Sequence, residues 1–357
     1  MSSKNNPPIP LLIDTDNAFG MPVRDIDDGI ALLAGLASEQ VAIKAIVASA
    51  CNCRAWESAR NTVHLLDVVG RPDIPVGLGA EDVLSGDREA HHAYIESRSA
   101  EHAGMQYWAT APTIPDIDVS VLPDGASLII DTVRNHPHEL VIILLGSMTN
   151  LALALRRAPD IAPLIKEIVH MGGSFTPRRG ELEFVWDTAD IPQDVWDTTL
   201  RFNTWYDKQA TIEVLSAGIP TRFISANVTS HCYIRKAHVE ELRTCPKNRI
   251  SAYLLDFLEP WLRWSIDERK IVGAHMHDPL TVLSVVNPTL CLYRNMESDV
   301  VGFKSGYELF PQNEELLWKT APKSLQNYVR VAVSVDVAKA EQCLLDLLKR
   351  VLIMNNA

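Results

Sequence analysis

The chain has 357 residues, 47% of them hydrophobic, and a formal net charge of −12. That apolar share supports a large core, on the scale of one large or two ordinary domains. The acidic balance argues against nucleic-acid backbones and anionic membranes as partners, and no apolar run reaches bilayer-spanning length.

The first residues form a polar lead-in, with 1–9 expected to be flexible and no charged-then-apolar leader, so the expected location is cytoplasmic. Six scattered cysteines fit reduced thiols there. Cys51-Asn52-Cys53 lacks the spacing of a redox or zinc pair, and both thiols read as small buried residues.

Residues 11–16, Leu-Leu-Ile-Asp-Thr-Asp, read as a buried strand whose C-terminal end opens into a polar site. Asp14 and Asp16 alternate and so should share a face. Asp27 and Asp28 then open a helix, with Ile30, Leu33, Ala34 and Ala37 at helical spacing and an aspartate suited to its N-cap. Up to four carboxylates therefore converge on one strand end. Crowded like charges raise one another's pKa unless a cation neutralises them. An all-oxygen donor set suits Ca²⁺ or Mg²⁺ rather than zinc. Each aspartate alone could equally be a cap or a solvated loop charge; as a group they point to a metal or catalytic site.

Further along, residues 41–48 read as a strand, 56–69 as a helix stopped by Gly70 and Pro72, and 74–79 as a short strand. Residues 81–118 read as irregular, with His91 and His92 at the surface; a loop of that length is usually functional or mobile. A helix (127–135), a strand (140–145), a helix (151–157) and a strand (165–171, ending at Gly172-Gly173) follow. A second irregular stretch covers 174–200. Then come a strand (220–228), a long helix (251–268), a helix after His277-Asp278-Pro279, a strand (328–335) and a closing amphipathic helix (338–352). This alternation makes a single α/β domain over 1–357, Rossmann-like, with a mostly parallel central sheet and helices on both faces. Ligands in such folds bind beyond the strand C-termini, where Asp14 to Asp28, Asn52, Thr149 and Gly172-Gly173 all fall.

Several separated motifs resemble one family. Asp14-Thr15-Asp16…Asp27-Asp28 is similar to a D-x-D-x-x-x-D-D signature, and Gly70-Arg71-Pro72-Asp73-Ile74-Pro75-Val76 to G-R-x-D-x-P-V. Cys51-Asn52 with Asn61 resembles a Gly-Asn loop and its following helix. Gly146-Ser147-Met148-Thr149-Asn150-Leu151-Ala152-Leu153-Ala154 resembles G-P-L-T-N-L-A-L-A, and Met171-Gly172-Gly173 is shared. Phe202-Asn203-Thr204-Trp205-Tyr206-Asp207 resembles E-F-N-x-x-x-D, and His277-Asp278-Pro279-Leu280 resembles H-D-P-L. In this order they resemble the inosine-uridine preferring nucleoside hydrolases across nearly the whole chain.

The resemblance implies hydrolysis of nucleosides to base and ribose by a Ca²⁺-activated water. It implies Ca²⁺ held by Asp16, Asp28, Asp278 and the carbonyl of Thr149, with Asp16 also the general base. Asp27, Asn52 and Asn203 would bind ribose hydroxyls, Asp14 would support the first shell, and His277 would protonate or hydrogen-bond the departing base. Trp261 and Trp264 suit stacking on the base, and His102 resembles a family histidine in a mobile loop near it. The partner is a small nucleoside, in nucleoside salvage, and a homodimer or homotetramer is the family's implication. Local alternatives stay open: Asp278-Pro279 is also an N-cap with an N1 proline, Asn52 a turn residue, and His275 and His277 core histidines.

The chain departs from the pattern in three places. The Asp16–Asp27 spacing is longer than usual, which leaves open whether Asp25 or Asp27 faces the sugar. Arg201 stands where a glutamate usually precedes Phe-Asn; a guanidinium cannot accept from a hydroxyl but could bind a phosphate, or pair with Asp197 or Asp207. The stretch before Arg201 also lacks the usual motif. A phosphorylated or modified riboside, or a non-catalytic nucleoside binder, is therefore an alternative. A more distant one is a haloacid-dehalogenase-like Mg²⁺ phosphatase, suggested by the opening Asp-x-Asp.

Overall fold

The computed structural model describes residues 7–84, 86, 88–101, 103–173, 202–299, 317–320 and 328–354. The expected irregular stretch 174–200, Arg201 and His102 lie outside the described residues.

The strands are β1 (Ile9–Thr15), β2 (Val41–Ala48), β3 (Val76–Leu78), β4 (Val141–Leu144), β5 (Glu167–Met171), β6 (Thr221–Ile224), β7 (Tyr233–Ile234), β8 (Ala274–His275), β9 (Cys291–Asp299), β10 (Leu317–Thr320) and β11 (Tyr328–Val335). The α-helices are α1 (Asp27–Ala37), α2 (Ala55–Val68), α3 (Glu89–Glu101), α4 (Gly125–Asn135), α5 (Thr149–Arg157), α6 (Phe202–Tyr206), α7 (Lys208–Ser216), α8 (Ala226–Thr229), α9 (Lys236–Arg243), α10 (Arg249–Asp267), α11 (His277–Val286) and α12 (Val337–Ile353). The main sheet runs β10-β9-β11-β6-β5-β4-β1-β2-β3. From β11 to β3 all pairings are parallel; β9 and β10 add an antiparallel edge. Neither β9 nor β10 is among the expected strands.

Side chains alternate across β1. Leu11 and Ile13 join the core under α1, α10, α11 and α12, whereas Leu12 joins the core under α4, α5 and α7. Helices thus cover both faces, as parallel strands with two apolar sides require. The chain runs outward from β1 through β2 to β3, then returns to start β4 on β1's other side. That reversal leaves a crevice beyond the C-terminal ends of β1 and β4, where ligands bind in open α/β sheets. Asp14 pairs in register with Leu144 and Val47, so it marks that crevice.

Several expected elements are corrected. Residues 81–118 are not all irregular: α3 and a 3₁₀ helix (Ala103–Trp108) lie within them. α3 carries little apolar periodicity and is held instead by tertiary contacts. Arg54 bonds Glu89 (2.8 Å) and Glu96 (2.6 Å), while His91 and His92, expected at the surface, are buried. The strand expected to Val228 ends at Ile224 and turns into α8. α1 has Ile26, not an aspartate, at its N-cap, so Asp27 and Asp28 lie in its first turn, where the helix dipole favours negative charge. α11 starts likewise, with Met276 as cap and Asp278 in the first turn. No helix among the described residues is long and apolar enough to cross a membrane.

Candidate active site

β1 delivers the first carboxylate. Asp14 follows Leu12's parity toward α5, where Asn150 Nδ2 donates to its Oδ2 (3.0 Å). Thr15 points to the opposite face, and its hydroxyl donates to Asp28 Oδ1 (2.5 Å). Asp16 lies just past the strand end. It does not simply repeat Asp14's direction, because the main-chain N–H of Asn52, in the loop after β2, donates to its Oδ2 (2.7 Å). The exit of β4 is a glycine because Ser49, and behind it Asp16, crowd that position. A Cβ on Gly146 would stand 2.6 Å from Ser49 Oγ and 3.2 Å from Asp16 Oδ1.

The first turns of α1 and α11 meet at this point. Asp27, Asp28 and Asp278 place one carboxylate oxygen each within 4.8 Å of the others, and all three are buried. The main-chain N–H of Asp278 donates to Asp27 Oδ2 (3.0 Å). Burial, reinforced by the neighbouring negative charges, pushes Asp28 and Asp278 well above the usual carboxylate range. Burial and the nearby charge of Asp25 push Asp27 up to about 7. Asp14 rises to about 7 mainly through burial, and burial raises Asp16 too. Asp28 Oδ2 is buried with no hydrogen-bond partner. Buried carboxylates in this state demand either protons or a cation. Hard oxygen donors, clustered and partly unpartnered, fit a hard divalent cation, so the cluster has the make-up of a metal site.

Around the cluster, Thr149 opens α5, and its hydroxyl donates to Asp207 Oδ2 (2.8 Å). Asp207 also accepts from the N–H groups of Leu84 (2.8 Å) and Ala210 (3.0 Å), the latter capping α7. Asn203 is buried and donates to the carbonyls of Leu145 and Met171 (2.9 Å to the latter). Cys51 and Cys53 are both buried, as expected for small core thiols; Cys51 Sγ reaches Asn203 Oδ1 at 3.7 Å, and Cys53 Sγ the carbonyl of Asp16 at 3.5 Å.

On the far side sits His277. Its Nδ1 lies 2.6 Å from Thr229 Oγ1, its Nε2 is buried without a partner, and its ring stacks on His275 at 4.8 Å. Burial holds His277 near 4, so the ring is neutral. Trp261 is 1% exposed, with its indole N–H directed to Asp25 (3.3 Å) rather than its ring lying open, and Trp264 is buried against Trp108. The structure therefore brings together Asp27, Asp28 and Asp278, sets Asp16 close to Asp28 with the Asn52 N–H on it, and ties Asp14 to Asn150; Thr149 is held by Asp207, and Asn203 by the carbonyls of Leu145 and Met171. It separates the two acids that the sequence leaves open: Asp27 joins the cluster, whereas Asp25 pairs with Arg269 (2.6 Å). Sequence reasoning misses Asp207, Asn150 and Arg269 as site-builders. Asp207 and Asn150 stand inside quoted motifs, but Arg269 has no local signal.

Comparison with known proteins identifies the family. A family model described as "Inosine-uridine preferring nucleoside hydrolase" matches residues 11–342. The pyrimidine-specific ribonucleoside hydrolase RihA of Salmonella paratyphi A is 30% identical over 288 residues, covering 79% of this chain and 81% of the relative. RihA of Klebsiella pneumoniae is 29% identical over 290 residues, with the same coverage. The plant nucleoside hydrolase PpNRh1 shares the fold with a TM-score of 0.73 at 23% identity, covering 96% of this chain and 99% of that one. A purine-preferring ribonucleoside hydrolase from Gardnerella vaginalis does so with a TM-score of 0.72 at 22% identity and the same coverage. The match to glycosidic hydrolases overturns the phosphatase alternative. The chain is a hydrolase of nucleoside N-glycosidic bonds and belongs to the inosine-uridine preferring nucleoside hydrolase family.

Proposed function

We propose that this chain hydrolyses pyrimidine ribonucleosides, uridine or cytidine, to free base and ribose with Ca²⁺ as its cation. The observation that supports the metal most directly is the buried trio Asp27, Asp28 and Asp278 with an unpartnered oxygen on Asp28. The pyrimidine preference rests on the relatives named pyrimidine-specific, 30% identical to this chain. In this reading Asp16, Asp28, Asp278 and the main-chain oxygen of Thr149 hold the cation. A bound hard cation supplies an ordered and acidified water.

The chain's own groups do the rest. Asp16 takes the water's proton as general base, its carboxylate oriented by the Asn52 N–H on Oδ2. Asp27 and Asn52 hold ribose hydroxyls, and Asn203, whose Nδ2 is taken by the carbonyls of Leu145 and Met171, would do so through Oδ1. Attack at the anomeric carbon develops positive charge on the sugar, which the surrounding carboxylates stabilise. His277 is neutral and fixed by Thr229 through Nδ1, so Nε2 is the atom that faces the departing base as hydrogen-bond donor. Asp14, tied to Asn150, supports the strand end. Trp261 acts through its N–H on Asp25, and the family resemblance implies a contact of His102 with the base. A homodimer or homotetramer in the cytoplasm completes the reading.

The test is release of reducing sugar from uridine, cytidine, inosine and their 5′-monophosphates, with and without a chelator. Chelator-sensitive turnover of uridine and cytidine is expected. Turnover of the monophosphates alone would favour the phosphorylated-sugar alternative through Arg201. Metal binding without turnover of any of them would overturn the enzyme reading.

A further inference from the structure

The loop inserted between Asp16 and Asp27 ends on a carboxylate that lies outside the buried trio. Asp25 accepts from Arg269 Nη1 (2.6 Å) and from Trp261 Nε1 (3.3 Å), and both bonds fall on Oδ1. Its Oδ2 takes no hydrogen bond from the described residues, and the side chain keeps 35% exposure. His277 is near enough to feel the charge of Asp25, and its buried Nε2 is also unpartnered. Asp25 and His277 thus lie close enough for their charges to interact, and each keeps one polar atom without a hydrogen bond from the described residues.

The loop is built firmly enough to place a side chain. Phe19 is fully buried, with ring centroids 5.1 Å from Tyr253 and 5.5 Å from Phe257. It packs so closely on α1 that a Cβ at Gly29 would stand 2.5 Å from it. Arg24 donates to the carbonyl of Ile95 in α3 (2.7 Å). Val23 adopts φ 57°, a conformation that a β-branched residue holds only when its surroundings impose it. Strain, burial and an ion pair all serve to set down Asp25.

We propose that Asp25 is a specificity-determining residue for the leaving base: its free oxygen accepts a ring N–H or exocyclic amino hydrogen of the nucleobase, while Arg269 and Trp261 hold the carboxylate in place. The inference rests on the nucleosidase reading above. An ionised carboxylate only accepts hydrogen bonds, so it favours bases with a donor edge, such as the N3–H of uracil or the amino group of cytosine. An N-methylated base would leave the carboxylate unpaired. The Arg269 charge, close against Asp25, offsets the anion that a departing base would otherwise meet.

The experiment compares kcat/KM for uridine, 3-methyluridine and 5′-deoxyuridine in the native protein and in Asp25→Asn, with Ca²⁺ present. The native protein should prefer uridine over 3-methyluridine by about 10- to 100-fold, and Asp25→Asn should bring that ratio close to one. Calorimetric binding of uracil against 3-methyluracil should show the same native preference and the same collapse without any turnover. A loss equal for both nucleosides, with the ratio intact, means that Asp25 only clamps the loop and overturns the proposal. So does a collapse of the uridine to 5′-deoxyuridine ratio instead. Turnover of uridine by the native protein separates the two levels: no cleavage of it or of any other nucleoside sinks the nucleosidase reading, whereas cleavage with a uridine to 3-methyluridine ratio that Asp25→Asn leaves unchanged sinks only the role of Asp25.

Discussion

The main-chain N–H of Asp278 donates to the carboxylate of Asp27 at 3.0 Å, joining residues 251 positions apart. The contact locks the first turn of α11 to the first turn of α1. Two helix N-termini thereby face one acidic cluster, and both dipoles favour its negative charge. The dipoles alone do not settle three buried carboxylates, which still need protons or a cation.

Substituting Asp28 should therefore act in opposite directions with and without metal. In chelated protein at alkaline pH, where burying Asp28 requires it either to keep a proton or to carry a charge beside other carboxylates, Asp28→Asn should stabilise by about 1–3 kcal/mol. The same variant should lose most of the rise in melting temperature that Ca²⁺ gives the native protein. Thermal melts with chelator and with Ca²⁺ check both; equal Ca²⁺ stabilisation of variant and native protein would remove Asp28 from the cation site.

Protonation links the cluster to pH. Asp14 and Asp27 stand near 7 in the folded chain against an ordinary 3.8. The native state thus retains protons that the unfolded chain has released, and these groups lower the stability of chelated protein as pH rises from about 4 to about 7. Ca²⁺ competes with those protons, so its stabilising shift should be larger at pH 8 than at pH 5. Buried His170, held near 3, works the other way: its contribution is lost as pH falls below about 6.5. Melting curves across this range, with and without Ca²⁺, measure the difference directly. A Ca²⁺ shift independent of pH would contradict it.

Asp207 is a positioning residue. It accepts from Thr149 Oγ1, Leu84 N and Ala210 N, and so ties α5, the loop after β3 and α7 together. Asp207→Ala should cost about 2–4 kcal/mol in urea unfolding and weaken Ca²⁺ binding by loosening Thr149. Asp207→Asn keeps part of the acceptor set and should recover part of both. Unchanged Ca²⁺ affinity in a folded Asp207→Ala would separate the fold anchor from the site.

His277 is placed to act on the leaving base. His277→Ala should lower kcat on uridine by about 10²- to 10⁴-fold and have much less effect on p-nitrophenyl riboside, whose leaving group needs no proton. Thr229→Val, which removes the partner of Nδ1, should give a smaller loss of the same selectivity. Steady-state kinetics on the two substrates decides this, and equal losses on both would place His277 in sugar binding.

Much of this was legible in the chain because it is periodic or local. The apolar run 11–13 stopping at Asp14, the Asp27-Asp28 pair before helical spacing, and His277-Asp278-Pro279 before another apolar stretch each carry their meaning within a few residues. Strand–helix alternation then fixes the sheet type, because parallel neighbours need crossovers. Tertiary structure decided the rest. α3 has too weak an apolar stripe to announce itself and exists through Arg54 and the burial of His91 and His92. The assignment of Asp27 to the cluster and Asp25 to Arg269 depends on partners 251 and 244 positions away. Local pattern specifies which elements form, since propensity and period act over a turn or a strand. Which carboxylate meets which partner is set only when separate elements pack, because burial and charge pairing depend on distance in space and not along the chain.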